Sequence, residues 1–161
     1  MTKDPAKLAV ATQVFNNAKL LKGQVTSIAT CDAQGNPNVA PIGSMRVVDE
    51  NTVHVLQGFL HQTNKNLEVN PKAAFSICLR PKLLDFRNLF KQKEEKPMGY
   101  QVYAELINVE NSHEAVEREY RQLVHLVPFF LRGLFLKFCR KNLKRLLTFR
   151  ITGVRAIGVP N

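Results

Sequence analysis

The sequence predicts a mainly β, α+β fold, in which six antiparallel strands form a barrel and helices lie around it. Short runs rich in β-branched residues alternate with Gly, Pro, Asn and Asp, which is typical of strands joined by hairpins. The first three predicted strands have no helix between them, so the crossover helices of a parallel sheet are not predicted there. A length of 161 residues with 45% hydrophobic residues suits a single domain over residues 1–161.

Helix and strand signals follow in order along the first half of the chain. Asp4 suits a helix N-cap and Pro5 the first helical position, and the apolar spacing after them predicts a helix over 4–21. Pro41 and Gly43 disturb the second strand, and such residues mark an edge, a bulge or the close approach of a ligand to the backbone. We predict strands over 24–31, 38–49, 52–58 and 73–80, a turn over 32–37 and a short helix over 62–70.

The second half of the chain holds fewer strand signals and more helical ones. We predict a surface loop over 81–98, a strand over 99–110, a helix from Ser112 to about Leu126 and a last strand over 148–159. Residues 128–147 are predicted as a basic amphipathic helical insertion, because Lys and Arg fall on one side of a helical wheel and Leu and Phe mostly on the other.

Positive charge is concentrated in the last quarter of the sequence. Of the formal net charge of +10, residues 120–161 supply +9, since they contain nine Lys and Arg and no Asp or Glu. Segment 128–147 therefore has three readings: a helix packed on the barrel or a partner subunit with a solvated basic face, a contact with an anionic membrane, or a site for an anionic substrate or redox partner. Nucleic acid is not expected as a partner, because the Phe side chains lie mostly on the apolar side and offer no stacking platform.

Neither side-chain catalysis nor metal binding is predicted. Cys31, Cys78 and Cys139 are far apart and form no CxxC pair, and the four His are not spaced as a metal pair on one helix face. The sequence has no nucleophile-elbow, zincin or phosphate-loop motif, so no catalytic residue is nominated. It also has no signal-peptide pattern and no uncharged apolar run long enough to span a membrane, and we expect a cytoplasmic protein with reduced thiols.

The stretch G-F-L-H-Q-T-N-K-N-L-E-V-N-P, residues 58–71, has the composition of an anion site. It runs from a strand into a helix, whose first turn would present free N–H groups together with the Thr63 hydroxyl. Gln62, Lys65 and Asn66 add hydrogen-bond donors nearby. A phosphate would suit this place. The alternative is that Thr63 only caps the helix and Asn66 is solvated.

Three parts of the sequence, in order, resemble a known family. They are the strand and turn T-S-I-A-T-C-D-A-Q-G-N-P-N-V-A-P-I-G-S, a strand ending in Gly58, and H-Q-T-N-K-N-L-E-V-N-P-K-A-A-F with its T-x-x-N-L-x-x-N-P pattern. Together they resemble the FMN-binding split-barrel family related to pyridoxamine 5′-phosphate oxidase. The resemblance covers residues 24–80 and is looser over 99–110 and 148–159. It implies a split β-barrel homodimer with one FMN per subunit at the interface.

The resemblance also implies which residues would hold FMN. The phosphate and ribityl chain would meet Gln62, Thr63, Lys65 and Asn66. The backbone lining the isoalloxazine ring would come from Ala40, Pro41, Ile42, Gly43 and Ser44. The dimethylbenzene or ribityl side would lie near Gly58, Phe59, Leu60 and His61, and Arg46 would reach the ring or the phosphate.

The function implied is that of a small oxidoreductase, in which non-covalently bound FMN exchanges hydride or electrons with a small-molecule or protein redox partner. Oxidation of vitamin B6 is not expected, because the chain has no Trp and ends in R-I-T-G-V-R-A-I-G-V-P-N instead of the Trp- and Arg-containing ending of those oxidases. Three alternatives stay open: a non-enzymatic flavin or haem carrier, a reductase that uses the deazaflavin F420, and a membrane- or polyanion-associated protein that has kept the fold.

Overall fold

The computed structural model describes residues 4–16, 26–58, 60–78, 97–124 and 127–158. In chain order the elements are α1 (Pro5–Asn16), β1 (Thr26–Cys31), β2 (Pro37–Ile42), β3 (Met45–Val47), β4 (Thr52–Gln57), α2 (His61–Val69), β5 (Lys72–Cys78), β6 (Gly99–Glu110), α3 (His113–Leu123), a 3-10 turn (Phe129–Leu131), α4 (Arg132–Asn142) and β7 (Arg145–Ile157). The strands of these ranges form one antiparallel sheet in the order β2-β1-β5-β6-β7-β4-β3.

The sheet is curled into a split barrel, and its closure follows from the strand order. Strands β2 and β3 are the two edges of the sheet, yet only Gly43 and Ser44 separate them in the chain. Three residue steps span at most about 11 Å, so the two edges must meet at this corner. The fold class is therefore the predicted one, but the described residues contain seven strands where the sequence pattern predicts six. The predicted second strand, 38–49, is divided at Gly43, where the chain passes from one edge to the other.

The interior of the barrel is apolar, and α1 lies against it. Inward side chains of every strand form the barrel core, in which the rings of Phe75 and Phe149 pack edge to face with centroids 5.2 Å apart. Asp4 caps α1, accepting hydrogen bonds from the N–H groups of Ala6 and Lys7 at 3.1 and 3.2 Å, as predicted. At the other end of α1, the Asn16 side chain exchanges two hydrogen bonds with the backbone of Val47, so this helix covers part of the free edge of β3.

A second apolar cluster lies outside the barrel, where α3 and α4 pack on β4 and β7. Its buried members are Leu56, Ala115, Val116, Tyr120, Leu123, Cys139 and Leu146. Ser112, where this helix is predicted to begin, caps α3, since its hydroxyl accepts a hydrogen bond from the Ala115 N–H. Burial in this cluster raises the pKa of the Cys139 thiol to about 11, so this Cys is held as a neutral thiol at neutral pH.

The basic helix is shorter than the predicted insertion over 128–147. After the 3-10 turn it runs from Arg132 to Asn142, and Leu143 is already extended, with φ −93° and ψ 122°. The Lys144 N–H then donates to the Gln57 carbonyl at 3.0 Å, and β7 begins at Arg145. Pairing with β4 thus outweighs the helical apolar pattern of the last five residues. Leu146 and Leu147, both assigned to one helix face by the wheel, instead point to opposite sides of the sheet.

The remaining predicted boundaries agree to within one to three residues wherever they are described. The ends of the predicted first and third helices, the start of the first strand, the ends of the fourth and last strands and the loop over 81–98 fall wholly or partly outside the described residues. No helix within the described ranges is long and apolar enough to cross a lipid bilayer.

Candidate functional site

Helix α2 is fastened to strands β1 and β2 by a buried set of polar side chains. Thr63 and Asn66, on its inner side, are each only 1% exposed. Asn38 of β2 donates a hydrogen bond to the Thr63 hydroxyl at 3.1 Å, and Asn66 donates to the Thr30 hydroxyl of β1 at 3.1 Å. The hairpin register brings Thr30 and Asn38 opposite each other, so both reach the same helix. These side chains fix the position of α2 on the sheet.

The first turn of α2 has no side-chain cap, which corrects the alternative that Thr63 is the N-cap. The helix begins at His61 and its N-cap is Leu60, which makes no side-chain capping hydrogen bond. The first helical bond in the series runs from the Asn64 N–H to the Leu60 carbonyl at 3.0 Å. The N–H groups of His61, Gln62 and Thr63 therefore precede the helical ladder and can serve an external acceptor.

Three polar side chains near this turn are exposed: His61, Gln62 and Lys65. Gln62 donates a hydrogen bond to the Asn66 amide oxygen at 2.8 Å, so its side chain lies along the helix. Lys65 adds a positive charge close to the N–H groups of the first turn. Of the four predicted phosphate contacts, Lys65 and Gln62 face solvent, whereas Thr63 and Asn66 are engaged inside.

Gln57, at the end of β4, is a buried polar residue with no partner among the described residues. It is 4% exposed, and neither its amide nitrogen nor its amide oxygen makes a hydrogen bond. It shares strand parity with Val53 and Val55, so its side chain lies on the barrel side of β4. A buried amide without partners costs free energy, and such groups are expected to meet a ligand or water.

Arg145 of β7 stands directly opposite Gln57 in the β4–β7 ladder. Cross-strand partners in an antiparallel pair share one face of the sheet, so the exposed Arg145 side chain leaves the sheet on the same face as the orphaned amide. Four residues after Gln57 the chain enters α2. One end of the barrel thus combines a buried amide, a cation and the open first turn of a helix, which together suit an anionic, partly buried ligand.

The predicted ring-lining segment, residues 40–44, comes to the same end of β4. The Ser44 hydroxyl donates to the Leu56 carbonyl at 2.5 Å, and the Leu56 N–H donates to the Ser44 carbonyl at 3.1 Å. Pro41 and Gly43 are exposed, while Ala40 and Ile42 turn inward to the barrel core. The exposed Pro41 and Gly43 thus border the corner between the two sheet edges.

Packing against α4 explains why a glycine stands at position 58. Phe59, the next predicted site residue, lies outside the described residues. A Cβ atom on Gly58 would stand 2.9 Å from the Asn142 carbonyl oxygen and 3.1 Å from a Leu143 methyl group. The backbone of β4 therefore approaches the end of α4 more closely than any side chain permits.

Arg46 does not face this site. Its neighbours Met45 and Val47 point into the barrel, so Arg46 points outward to α3. There its guanidinium donates two hydrogen bonds to Glu119, which also contacts His54 Nδ1 at 2.9 Å. Burial alone would raise the pKa of Glu119, but the hydrogen bonds from His54 and Arg46 outweigh it and bring the pKa to about 2. The hydrogen bonds between Arg46 and Glu119 also raise the pKa of Arg46. The Glu119 carboxylate of α3 is thus held ionised by Arg46 of β3 and His54 of β4.

The family of the chain follows from its sequence over this region. Residues 16–124, more than half of the chain, match the family model described as pyridoxamine 5′-phosphate oxidase. The chain belongs to the pyridoxamine 5′-phosphate oxidase family. No curated protein matches it in sequence.

Solved structures of similar fold include proteins that are named for different cofactors. An FMN-binding protein from Syntrophomonas wolfei is 20% identical with a TM-score of 0.68, over 97% of this chain and 90% of that one. HutZ, the haem storage protein from Vibrio cholerae, is 20% identical with a TM-score of 0.58, over 94% and 96%. An F420 reductase is 13% identical with a TM-score of 0.50, over 82% and 89%. At these identities the likeness establishes the fold alone.

In this member of the pyridoxamine 5′-phosphate oxidase family, sequence reasoning missed Gln57 and Arg145, and it missed Thr30 and Asn38, the strand partners of α2. Gln57 could have been found from strand parity, because it follows Val53 and Val55 at steps of two residues. Thr30 and Asn38 flank the D-A-Q-G-N-P turn, so a hairpin register centred there pairs them. Arg145 carried no such signal, since its residue range read as part of a helix.

Proposed function

We propose that the chain is a flavoprotein that binds FMN non-covalently at the end of its barrel and acts as a small oxidoreductase. We further propose that it works as a homodimer with FMN at the interface, as the resemblance implies. Bound FMN would supply hydride or electron transfer, and the protein would supply binding, orientation and tuning of its reduction potential.

The observation that carries this proposal is that the buried Gln57 amide and the open first turn of α2 lie at the same end of the barrel, where β4 ends. The N–H groups at the start of α2 and the side chain of Lys65 suit a phosphate dianion, because the helix dipole and a cation both favour negative charge there. Arg145 is a second candidate cation. The orphaned Gln57 amide suits a ligand that offers both donors and acceptors, as the ribityl chain and the flavin ring edge do.

The roles within the predicted phosphate set differ from one another. Thr63 and Asn66 would act indirectly, by holding α2 against β1 and β2 so that its first turn stays in place. Lys65, Gln62 and the N–H groups would touch the phosphate. The exposed Pro41 and Gly43 leave backbone open at the neighbouring corner, where a flat ring could pack against Ala40–Ser44.

Cofactor binding is tested by titrating the purified full chain with FMN, riboflavin, F420 and haem while recording absorbance and fluorescence. We expect FMN to bind more tightly than riboflavin, because the phosphate adds its contacts at α2. Mass spectrometry of whatever co-purifies identifies the natural occupant. A colourless protein that ignores added FMN contradicts the proposal.

A haem carrier is the second candidate, and one observation favours it. His61 is exposed at the start of α2, where its imidazole is available as an axial ligand of iron. Under this alternative, binding shifts and sharpens the Soret band of added haem, and this change is lost in His61→Ala, whereas FMN binding of that variant changes little. Steady-state reduction with NADH, NADPH or reduced F420 then separates an enzyme, which turns over, from a carrier, which does not.

A further inference from the structure

The outward side of α4 presents an unusual surface that the candidate site does not use. Leu134, Lys137 and Lys141 follow one another on α4 at steps of three and four residues, which aligns them along one side of the helix, and Phe130 precedes them in the 3-10 turn that leads into it. We call these four residues the outer stripe. Phe130 is 71% exposed and Leu134 68% exposed, and the adjacent Phe129 is 81% exposed.

This orientation of α4 is fixed by its inner side. Cys139, on the opposite side of the helix, is 1% exposed and belongs to the cluster under α3. The Arg140 guanidinium donates to the Tyr120 hydroxyl at 3.1 Å and lies 3.3 Å from a Glu117 carboxylate oxygen. Rotating the helix to bury the stripe would break these contacts. The exposure of Phe130 and Leu134 is therefore a property of the packed fold.

The charges on the stripe itself are all positive. Residues 120–161 contain no Asp or Glu, and within the described ranges no carboxylate lies within ion-pairing distance of Lys137 or Lys141. Arg132 is also exposed at the start of the helix. The surface therefore combines apolar side chains at one end of the stripe with uncompensated cations at the other.

We propose that the outer stripe docks on an anionic lipid bilayer, with Phe130 and Leu134 entering the headgroup region and Lys137 and Lys141 facing lipid phosphates. A bilayer that contains anionic lipids offers an apolar phase and negative charge side by side, which matches the two ends of the stripe. A second copy of the stripe contains no carboxylate. Two stripes packed together, whether parallel or antiparallel, would therefore leave the lysine ammonium groups without a negative partner. Nucleic acid would leave the apolar groups in water, and the rings of Phe129 and Phe130 stand at 88° to each other instead of forming a stacking platform.

The test is flotation of the full chain with vesicles of phosphatidylcholine alone and of phosphatidylcholine mixed with phosphatidylglycerol. We expect binding to the anionic vesicles that weakens as salt rises. Each basic group near such a surface strengthens partitioning roughly fivefold, so K137E/K141E should weaken it more than about tenfold. The matched control K72E/R155E makes the same change in net charge on exposed strand positions and should retain most of the binding.

The contribution of the apolar side chains to vesicle binding is measured with the variants F130S/L134S and F130W. The double variant should lose roughly tenfold in partitioning, because it removes two side chains that would be buried in lipid. The chain has no Trp, so F130W introduces a single indole whose emission should shift to the blue on anionic vesicles.

Four results overturn the proposal. They are failure of the wild type to float, equal losses in K137E/K141E and its control, an unshifted F130W emission, and a change of oligomeric state in F130S/L134S, which would assign the stripe to contacts between copies. Circular dichroism and cofactor content confirm that each variant is folded.

Discussion

The Arg46 guanidinium donates two hydrogen bonds to the Glu119 carboxylate, at 2.6 and 2.9 Å, and so ties α3 to the outer face of the sheet. Glu119 is 3% exposed, and His54 supplies its third contact. A buried carboxylate with two hydrogen-bonded partners is stable as the ion and costly to protonate. Arg46 therefore serves the packing of α3 and not the open end of the barrel.

The Glu119 carboxylate should make stability acid-sensitive. Its pKa of about 2 in the folded protein lies below its ordinary value of 4.5, so its contribution is complete above pH 4.5 and is lost as pH falls from there through 2. By linkage the loss is about 3 kcal/mol. We expect Glu119→Gln to be less stable at neutral pH but to change less across this window. Urea unfolding at several pH values measures it, with the exposed Glu114→Gln as control. Parallel pH profiles of wild type and Glu119→Gln would contradict the assignment.

Gly58 should not tolerate a side chain. Alanine at this position would place its methyl group 2.9 Å from the Asn142 carbonyl oxygen, so Gly58→Ala should lower the free energy of unfolding by roughly 1–3 kcal/mol. Gly133→Ala is the matched control, because nothing lies within 4 Å of its added Cβ in α4. That variant should be more stable by up to about 1 kcal/mol. Thermal unfolding compares them, and a Gly58→Ala protein as stable as the wild type would refute the close approach.

Local signals were sufficient for much of this fold. The strand over 99–110, the Asp4 cap, the start of α3 next to Ser112 and the D-A-Q-G-N-P turn depend on neighbouring residues, and each is found as predicted. The Asp32 carboxylate organises that turn, accepting hydrogen bonds from the Asn36 side chain and backbone and from the Gln34 N–H, which lower its pKa. The hydrogen bonds within the turn do not require the rest of the protein.

Contacts between residues that are distant in the sequence could not be predicted from local signals. Arg46 alternates with two apolar residues, which gives its direction, but its partner lies 73 residues later on α3. The local sequence around Thr63 suits a helix cap as well as a buried position. The contact that identifies it as buried comes from Asn38, 25 residues earlier. The end of α4 depends on β4, whose Gln57 carbonyl captures the Lys144 N–H. Contacts between elements that are distant in the sequence decided all three.

Lys65 and the two buried anchors of α2 should respond differently to substitution. Lys65→Ala should weaken FMN binding about tenfold and riboflavin binding little, because it removes one charge-assisted contact to the phosphate. Thr63→Ala with Asn66→Ala should instead lower stability by about 2–4 kcal/mol and weaken both ligands together, since it frees α2 from β1 and β2. Lys72→Ala, another exposed lysine beyond the end of α2, is the control. If the double variant loses only FMN binding, these side chains contact the phosphate directly.

Gln57→Leu should separate the stability of the empty protein from its affinity for the cofactor. The buried amide has no partner among the described residues, so an apolar side chain of similar size should raise the free energy of unfolding without ligand by about 1–2 kcal/mol. The same change removes a donor and an acceptor from the site, so the affinity for both FMN and riboflavin should fall.

Arg145→Gln is the companion variant, because it changes the cross-strand neighbour of Gln57 without altering the buried amide. It should weaken FMN more than riboflavin and leave the stability of the empty protein within about 0.5 kcal/mol, as expected for an exposed position. Chemical denaturation without cofactor and titration with both flavins give the two quantities for each variant. If Gln57→Leu destabilised the empty protein and bound FMN normally, the amide would have a structural partner and the cofactor would lie elsewhere.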